Sequence, residues 1–352
     1  MKIALITLGL LGIATTLLPF LRRDAWWIRI FDFPRLQITF VTATTLVVYL
    51  FTGWHSGLAD SLFVVAMLSC LGYQGYMMFP YTRLASKQVE QSVNPARDST
   101  LSVMFANVLQ DNRQADKLKA IISEIDPDII LAVETNDWWK EQLQSIAGTH
   151  PHTVFQAQEN TYGMLLFSKL ELIDPQVEFL VQDDIPSIHT RVRLLSGDEL
   201  TLRCLHPRPP FPTEDERSTE RDVELLIVGK EVNKLGVPAI VMGDLNDVAW
   251  SRTNYLFQDV SGLLDPRIGR GFYHTFHAEY PFMRFPLDHC FHSNHFRLVD
   301  FKRLGYYGSD HFPVYIKLSF EPDGAAEQDE LQADASKQHE ADQKIDQLSG
   351  PA

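Results

Sequence analysis

The sequence predicts an α/β (α+β) domain that follows three transmembrane helices. Two observations support this: three long uncharged apolar stretches occur in the first 97 residues, and short apolar strands alternate with amphipathic helices over residues 98–320. A third observation is that residues 321–352 are rich in Ala, Gln, Asp and Glu and contain few apolar residues. We therefore expect a membrane anchor at 1–97, a globular domain at 98–320 and a tail at 321–352.

The three apolar stretches are residues 3–20, 36–53 and 61–82. Each has about the length that crosses the hydrocarbon core of a bilayer. The first stretch has an alternative interpretation as a cleaved signal peptide, but no small-x-small cleavage site follows it and two more stretches come after it. Short polar linkers between the stretches argue against buried helices of a soluble domain. The lipid bilayer is therefore an expected partner.

Positive charges predict the orientation of the anchor. The linker at 54–60 has no Lys or Arg, whereas the other two flanking segments carry Arg22, Arg23, Arg29, Arg35, Arg83, Lys87 and Arg97. The positive-inside rule places these two segments in the cytoplasm. We thus expect a multi-pass protein of the inner cell membrane with a cytoplasmic globular domain. Long domains can be exported regardless of flanking charge, so the alternative is that the globular domain lies on the exported side of the membrane.

Residues 98–320 show the periodicity of a mixed fold. Strands are predicted at 101–107, 128–134, 164–167, 188–195, 199–206, 238–244, 287–292 and 312–318. A helix is predicted at 116–125, and Thr213 followed by Glu216 predicts the capped start of a second helix that runs to 234. This content indicates two packed sheets covered by helices.

Charge restricts the partners. Of the net charge of −14, the tail carries −7, and residues 98–320 contain 21 Lys and Arg against 32 Asp and Glu. Nonspecific binding to duplex DNA requires a basic surface, so such binding is disfavoured. A tail of this composition buries too little apolar surface to offset its ordering entropy, and we expect disorder there, with a weak helix at 329–348 as the alternative. No protein partner is indicated.

Polar residues recur at the ends of the predicted strands. In the run VPAIVMGDLN, Asp244 and Asn246 lie on the same side of the strand end because side chains alternate. A carboxylate and a carboxamide there can orient a water and hold a phosphate oxygen. The other strand ends carry Asn107, Glu134, His206, Asp288, Ser309, Asp310 and His311. Any one of these can be a cap or turn residue, but together they predict a site at a shared sheet edge.

These residues, with the motifs GDLND, LDH and SDHFP, resemble the endonuclease/exonuclease/phosphatase (DNase-I-like) superfamily in order and approximate spacing, as a membrane-anchored, bacterial-type member. The resemblance covers nearly all of residues 98–320. It implies a four-layer αββα sandwich and a divalent cation, Mg²⁺, with Mn²⁺ as a possible substitute.

The resemblance also implies roles for these residues. Glu134 would be the principal metal ligand, with Asn107 and Asp310 completing or supporting its coordination. Asp244 would position or deprotonate the attacking water, and Asn246 would hold a phosphate oxygen. His311, oriented by Asp288, would stabilise the developing charge or protonate a group on the phosphate. His206 matches a histidine of the nuclease and sphingomyelinase branches. Beyond these positions, residues 206–210 and 267–277 are expected to form a rim that receives a phosphate and its organic group, with a rigid surface turn and a solvated loop as the alternative.

The leading functional hypothesis is a membrane-anchored, metal-dependent hydrolase of a phosphodiester or phosphomonoester. Membrane anchoring and the acidic domain favour a lipid headgroup or a small phosphorylated molecule as substrate. A membrane-tethered nuclease acting on DNA or RNA is the alternative enzyme. A catalytically silent scaffold or binding module is the alternative of another class, and the presence of every expected polar residue argues against it.

Overall fold

The computed structural model describes residues 1–55, 57–209 and 217–349. Its first helices are α1 (Lys2–Leu17), the short α2 (Trp26–Arg29), α3 (Arg35–Thr52) and α4 (Leu58–Met78). The segments Lys2–Leu21, Arg35–Thr52 and Leu58–Tyr81 are long and apolar enough to cross a membrane. The prediction of three such helices is confirmed.

The three long helices pack against one another through small and polar residues. A Cβ atom on Gly12 would lie 2.4 Å from Thr42 Oγ1, so the absence of a side chain lets α1 approach α3. Gln74 of α4 donates to Thr16 Oγ1 at 3.1 Å and accepts from Arg35 Nη1 at 3.1 Å. These polar contacts join the helix ends that lie nearest the globular domain.

The globular domain contains two mixed β-sheets. Their strands are β1 (Thr100–Asn107), β2 (Ile129–Val133), β3 (His152–Gln156), β4 (Met164–Ser168), β5 (Glu171–Glu178), β6 (Ser187–Arg193), β7 (Glu199–Leu205), β8 (Ala239–Asp244), β9 (Asp288–His292), β10 (Phe296–Arg303) and β11 (Val314–Phe320). The first sheet has the order β10-β11-β1-β2-β4-β3 and the second the order β5-β6-β7-β8-β9. Within them, β1 runs parallel to β2 and β7 runs parallel to β8.

Helices cover the outer faces of both sheets. Helices α5 (Ala115–Ile125) and α6 (Asp137–Leu143) pack on the first sheet, and α7 (Thr219–Leu235) and α8 (Arg252–Ser261) pack on the second. The largest apolar cluster lies between the two sheets. The predicted αββα sandwich is confirmed.

The central strand β1 shows why the layers form. Leu101, Val103 and Phe105 belong to the cluster between the sheets, whereas Met104 and Ala106 belong to the cluster under α5 and α6. Because side chains alternate along a strand, both faces of β1 are apolar and both are covered.

Every predicted strand is present within two residues of its expected bounds. The structure adds β3, β5 and β10, and each of these lies at the edge of a sheet. The second predicted helix begins at Thr219 in the structure. The predicted capping pair, Thr213 and Glu216, lies outside the described residues.

The tail differs from the expectation of disorder. A 3₁₀ helix spans Pro322–Glu327, and helix α9 (Ala335–Ser349) packs on α7 and α8. Ala341 is fully buried against Leu226 and Leu256. The helix also forms ion pairs with basic and acidic residues of the domain, including Lys344 with Asp222 at 3.0 Å. These partners lie elsewhere in the chain, so the tail composition did not reveal them.

The globular domain begins earlier than residue 98. Val89 belongs to the cluster between the sheets. The backbone at Glu90 accepts from Leu298 N at 2.9 Å, and Ser92 N donates to Leu298 O at 2.8 Å. Part of the region that was predicted to belong to the anchor at 1–97 therefore lies along the edge strand β10 of the globular domain.

Candidate active site

The carboxyl ends of two parallel strand pairs meet at one edge of the sandwich. β1 ends at Asn107, and Glu134 follows its parallel neighbour β2. In the second sheet His206 follows β7, and the parallel β8 ends at Asp244. Asn107 Nδ2 donates to Glu134 Oε1 at 2.6 Å and to Asp244 Oδ2 at 3.0 Å. One carboxamide therefore connects the two sheets at this edge.

The start of β9 and the loop before β11 reach the same edge. Asp288 is the register partner of Asp244 in the antiparallel pair of β8 and β9. Ser309 Oγ donates to the backbone oxygen of Asn107 at 2.7 Å, which places the neighbouring Asp310 and His311 beside the first sheet. The fold thus brings together residues that are far apart in sequence.

His311 lies between two carboxylates. Its Nδ1 is 2.8 Å from Asp288 Oδ2, and its Nε2 is 3.5 Å from Asp244 Oδ2. Burial alone would lower the pKa of His311, but the charges of Asp288 and Asp244 outweigh it and raise the pKa to about 10. His311 is therefore an imidazolium at neutral pH, and it can stabilise negative charge that develops nearby.

The backbone after β8 is fixed from several sides. Gly243 has φ of 142°, and a Cβ atom there would lie 1.9 Å from a backbone oxygen of β7, so only glycine allows this approach. Asn246 has a left-handed φ of 52°; its N–H donates to Asp244 Oδ1 at 3.0 Å and its Nδ2 to Pro207 O at 2.9 Å. Arg221 Nη1 donates to Asn246 O at 2.7 Å. The eight residues to which the resemblance assigns roles therefore all lie at this edge: Asn107, Glu134, His206, Asp244, Asn246, Asp288, Asp310 and His311.

His206 is a neutral histidine at the site. Burial lowers its pKa to about 4. Its ring centroid is 5.4 Å from that of Tyr162. Among the described residues, no group hydrogen-bonds to its buried Nδ1. A buried ring nitrogen without a protein partner at a sheet edge is a position that a substrate atom or a water would satisfy.

Glu134 is the carboxylate whose surroundings fit a divalent cation. Burial raises its pKa to about 7, and the charges of Asp310 and Asp244 act in the same direction. Over the described ranges, its hydrogen bonds come from uncharged donors, Asn107 Nδ2 and the backbone N–H of Gln110. A hard cation would relieve the repulsion among these carboxylates, and Mg²⁺ prefers oxygen ligands of this kind. The donor set therefore fits Mg²⁺.

A second group also meets a distance criterion for cation binding. Ligand atoms of Asp244, Asp288 and His311 lie within 4.8 Å of one another. Because His311 is protonated and both its ring nitrogens face carboxylates, a cation would first have to displace a proton there. We therefore favour an ion-paired triad for these three residues.

Asn107 is placed to support the carboxylates. Its Oδ1 accepts the backbone N–H of Leu109 at 3.0 Å, while its Nδ2 bridges Glu134 and Asp244. Of the two roles that the resemblance allows, supporting the coordination agrees better with these contacts than completing it.

Two further residues at this edge were not predicted. The Tyr307 hydroxyl donates to the backbone oxygen of Asn107. Its position two residues before Ser309 in the sequence is the signal that could have identified it as a site residue. Arg221 lies on α7, and nothing in the local sequence indicates its contact with Asn246. Tertiary packing creates that contact.

The two segments that were expected to form a rim differ in their contacts. The ring of Phe276, within the expected segment 267–277, is 5.0 Å from the His311 ring. Arg270 of the same segment donates instead to the backbone oxygens of Pro266 and Val89. In the segment 206–210, Arg208 pairs with Asp184 at 2.9 Å, and residue 210 lies outside the described residues.

Comparisons with known proteins agree with this architecture. A sequence profile of the Endonuclease/Exonuclease/phosphatase family matches residues 103–311, more than half of the chain. No curated protein matches.

Solved structures share the fold at low sequence identity. D. rerio TDP2 complexed with a single-strand DNA product is 16% identical, with a TM-score of 0.53 over 63% of this chain and 100% of that chain. The human Nocturnin catalytic domain with a bound sulfate anion is 16% identical, with a TM-score of 0.51 over 64% and 96%. ANGEL2, a 2',3'-cyclic phosphatase in complex with adenosine-2',3'-vanadate, is 13% identical, with a TM-score of 0.50 over 66% and 99%. At these identities the likeness shows the fold alone.

Proposed function

The chain belongs to the endonuclease/exonuclease/phosphatase family, whose members hydrolyse phosphate esters, and we propose that it is a membrane-anchored, Mg²⁺-dependent phosphoesterase acting on a lipid headgroup. The reaction would be hydrolysis of a phosphodiester or phosphomonoester. The observation that carries this proposal is a loop that joins the candidate site to the first turn of α3.

This loop spans residues 276–285. At one end, Phe276 contacts His311 and Ala278 N donates to Asp310 O at 2.6 Å. At its tip, Phe282 accepts a hydrogen bond through its backbone oxygen from Gln37 Nε2 at 2.6 Å. Gln37 is two residues into α3, about 3 Å along the helix axis from its start. The tip therefore lies near the domain-side end of a helix that is long and apolar enough to cross a membrane.

The loop tip exposes large apolar side chains. Tyr280 is 58% exposed, Phe282 86% and Met283 52%. Exposed aromatic side chains next to a membrane helix have the character of groups at a bilayer interface. A loop of this kind would hold the catalytic edge against the bilayer, where phospholipid headgroups are the most abundant phosphate esters.

The orientation of the anchor belongs to the same proposal. The linker residues Arg22, Arg23 and Arg29 lie at the domain side, whereas Lys2 and Asp60 form an ion pair at the opposite ends of α1 and α4. The positive-inside rule then favours a cytoplasmic domain in the inner cell membrane.

The proposed mechanism assigns a role to each side chain of the site. Glu134 and Asp310 would hold Mg²⁺, and the chemistry supplied by the bound ion would be Lewis-acid assistance at the phosphate ester. Asp244, whose pKa is raised by burial, is suited to orient or deprotonate the attacking water. Asn246 Nδ2 donates one hydrogen to Pro207 O and has a second for a phosphate oxygen. The imidazolium of His311, oriented by Asp288, stabilises the charge that develops on the phosphate.

The test is a substrate panel on the full chain in nanodiscs with Mg²⁺. The panel contains glycerophospholipids, sphingomyelin, inositol phosphates, plasmid DNA and RNA. We expect release of a lipid headgroup, and no release by Asp244→Asn. Cleavage of DNA or RNA without any cleavage of lipid would overturn the lipid assignment and establish the nuclease alternative.

A substitution in the loop 276–285 provides a second, independent test of the proposed function. Full burial of a Phe side chain contributes roughly 1.5–3 kcal/mol, so Phe282→Ser should lower kcat/KM for a bilayer substrate by roughly one to two orders of magnitude. Activity on a water-soluble short-chain ester should stay unchanged. Phe179→Ser is the matched control, because Phe179 is also an exposed phenylalanine but follows β5. Equal effects of the two substitutions would contradict a role for the loop at the bilayer.

A further inference from the structure

A basic cavity lies where the first linker meets α7, α8 and α9. Its volume is about 680 Å³. Two of its lining side chains are acidic, Asp24 and Glu340. Six are basic: Arg22, Arg23, Arg29, Arg217, Arg252 and Lys344. The chain as a whole carries a net charge of −14, so this excess of positive charge is local. Such a cavity attracts an anion.

Several of these cations already have partners. Arg252 pairs with Glu340, and Lys344 pairs with Asp24 at 2.9 Å. Within the part of the chain that the structure describes, Arg22 and Arg23 form no ion pair or hydrogen bond through their side chains, and both are exposed. Two arginines at the mouth of the cavity are thus available to a ligand.

A second, smaller cavity of about 220 Å³ continues from the first. Arg22, Arg29 and Arg252 line both cavities. The rest of its wall includes apolar side chains from the domain-side ends of two long helices, Phe20 after α1 and Tyr73 and Met77 in α4. The basic cavity therefore opens onto an apolar surface between helices that are able to cross a membrane.

We propose that the two cavities together bind an anionic phospholipid, with its phosphate in the basic cavity and the start of an acyl chain on Phe20, Tyr73 and Met77. Arginine suits the phosphate because its planar guanidinium donates two parallel hydrogen bonds. A basic pocket at the ends of membrane helices is where anionic headgroups bind. The apolar wall favours a lipid over a soluble phosphate, since a soluble anion gains nothing from it.

This site is distinct from the candidate active site. None of the residues lining either cavity belongs to the eight residues of the catalytic edge. Arg29 connects the two regions, because its Nη2 is 3.4 Å from Asp247 Oδ2, one residue after Asn246. Lipid binding can be measured without any enzymatic assay, so failure of this proposal and failure of the proposed function are separable.

The experiment measures the thermal unfolding midpoint of the full chain in detergent micelles. Dioleoyl phosphatidylglycerol, dioleoyl phosphatidylcholine or inorganic phosphate is added as the ligand. A ligand that binds only the folded state raises the midpoint, and we expect phosphatidylglycerol to raise it by on the order of 2–4 °C. Phosphatidylcholine and inorganic phosphate should produce less than half of this rise.

Arg22→Ser combined with Arg23→Ser should abolish the response to phosphatidylglycerol. The matched control is Arg83→Ser combined with Lys87→Ser, because these residues are also exposed, follow a long apolar helix on the same side, and lie outside both cavities. The control should respond like the wild type. Equal loss in both double variants would show general surface attraction and overturn the proposal.

A second variant protects the test against misfolding of the linker. Gln347→Glu places a negative charge on the cavity wall from α9 and should weaken the response, whereas Gln338→Glu on the same helix lies outside the lining and should not. Native mass spectrometry should find phosphatidylglycerol retained by the wild type and lost from Gln347→Glu. An equal rise with inorganic phosphate would refute the lipid and identify a soluble anion instead.

Discussion

Replacing Asp288 by asparagine should shift the alkaline limit of activity toward neutral pH. In the wild type, burial opposes the charge on His311, yet Asp288 and Asp244 raise its pKa to about 10. Asp288→Asn preserves the size and an acceptor oxygen of the side chain, but it removes the negative charge that lies 2.8 Å from His311 Nδ1. The pKa of His311 must then fall, and the imidazolium is lost at lower pH.

The size of the effect follows from the two protonation states. With a pKa of about 10, nearly all His311 is protonated at about pH 8, whereas a histidine at its ordinary pKa of about 6.5 is only about 3% protonated. The loss of kcat/KM at about pH 8 is therefore at most roughly 30-fold from this cause. Asp244 still faces Nε2, so the pKa remains above the ordinary value and the measured loss should be smaller.

The assay records kcat/KM against pH, from about pH 6 to about pH 10, at saturating Mg²⁺ and with the substrate that the panel identifies. We expect a wild-type plateau up to the region of pH 10 and an earlier decline for Asp288→Asn. His311→Ala should show low activity at all these pH values, and the double variant should be little worse than His311→Ala alone. Circular dichroism should confirm that Asp288→Asn is folded. If kcat/KM of the folded variant declines at the same alkaline pH as that of the wild type, this account of His311 is refuted.

Further predictions concern the metal, the tail and the orientation. Glu134→Gln should abolish turnover without unfolding the protein, and EDTA should inactivate the wild type until Mg²⁺ or Mn²⁺ is added. If Glu134→Gln keeps an activity within about threefold of the wild type, Glu134 is not a metal ligand. Because burial raises the pKa of Glu134 to about 7, the apparent affinity for Mg²⁺ should fall as pH decreases below about 7, as isothermal titration calorimetry can test. Deleting residues 329–352 should lower the thermal midpoint by several degrees, since the deletion exposes the apolar surface that Ala341 covers and breaks the ion pairs of α9; an unchanged midpoint would show that α9 contributes no packing energy. A fluorescent protein fused to the C-terminus should fluoresce and alkaline phosphatase fused there should be inactive, and the reverse pattern would place the domain in an exported compartment.

The strands that the sequence predicted differ physically from those it did not. Central strands such as β1 and β8 are buried on both faces and therefore appear as apolar runs. The strands that were missed, β3, β5 and β10, are edges with partly exposed residues, and β5 contains Pro175. Edge strands must resist further pairing, so their composition resembles that of loops.

The site residues were predictable for a related reason. Asn107 and Asp244 end apolar strands and Glu134 directly follows one, so a polar residue there contrasts with its surroundings in the sequence. The neighbours that hold them in place show no such contrast. Arg221 lies in a helix with many charged residues, and only the packing of α7 places it against Asn246.

The tail shows the limit of composition as evidence. Its acidic residues predicted disorder because, considered alone, they repel one another and bury little surface. The domain supplies the opposite charges, and Lys337 of the tail itself pairs with Asp259 of α8 at 2.7 Å. Complementary charge between distant segments is a property of the folded chain that no local composition reveals.

Buried charges connect the first linker, the tail and the candidate active site. Asp222 is fully buried on α7; burial would raise its pKa, but Lys344, Arg221 and Arg29 hold the pKa well below its usual range. A buried carboxylate that loses its cations is strongly destabilising. Arg29 comes from the first linker and Lys344 from the tail. In residues 98–320 alone, the remaining ion-pair partner of Asp222 and Asp247 would be Arg221. Because Arg221 also donates to the backbone oxygen of Asn246, the geometry of the candidate active site depends on the first linker and on the tail.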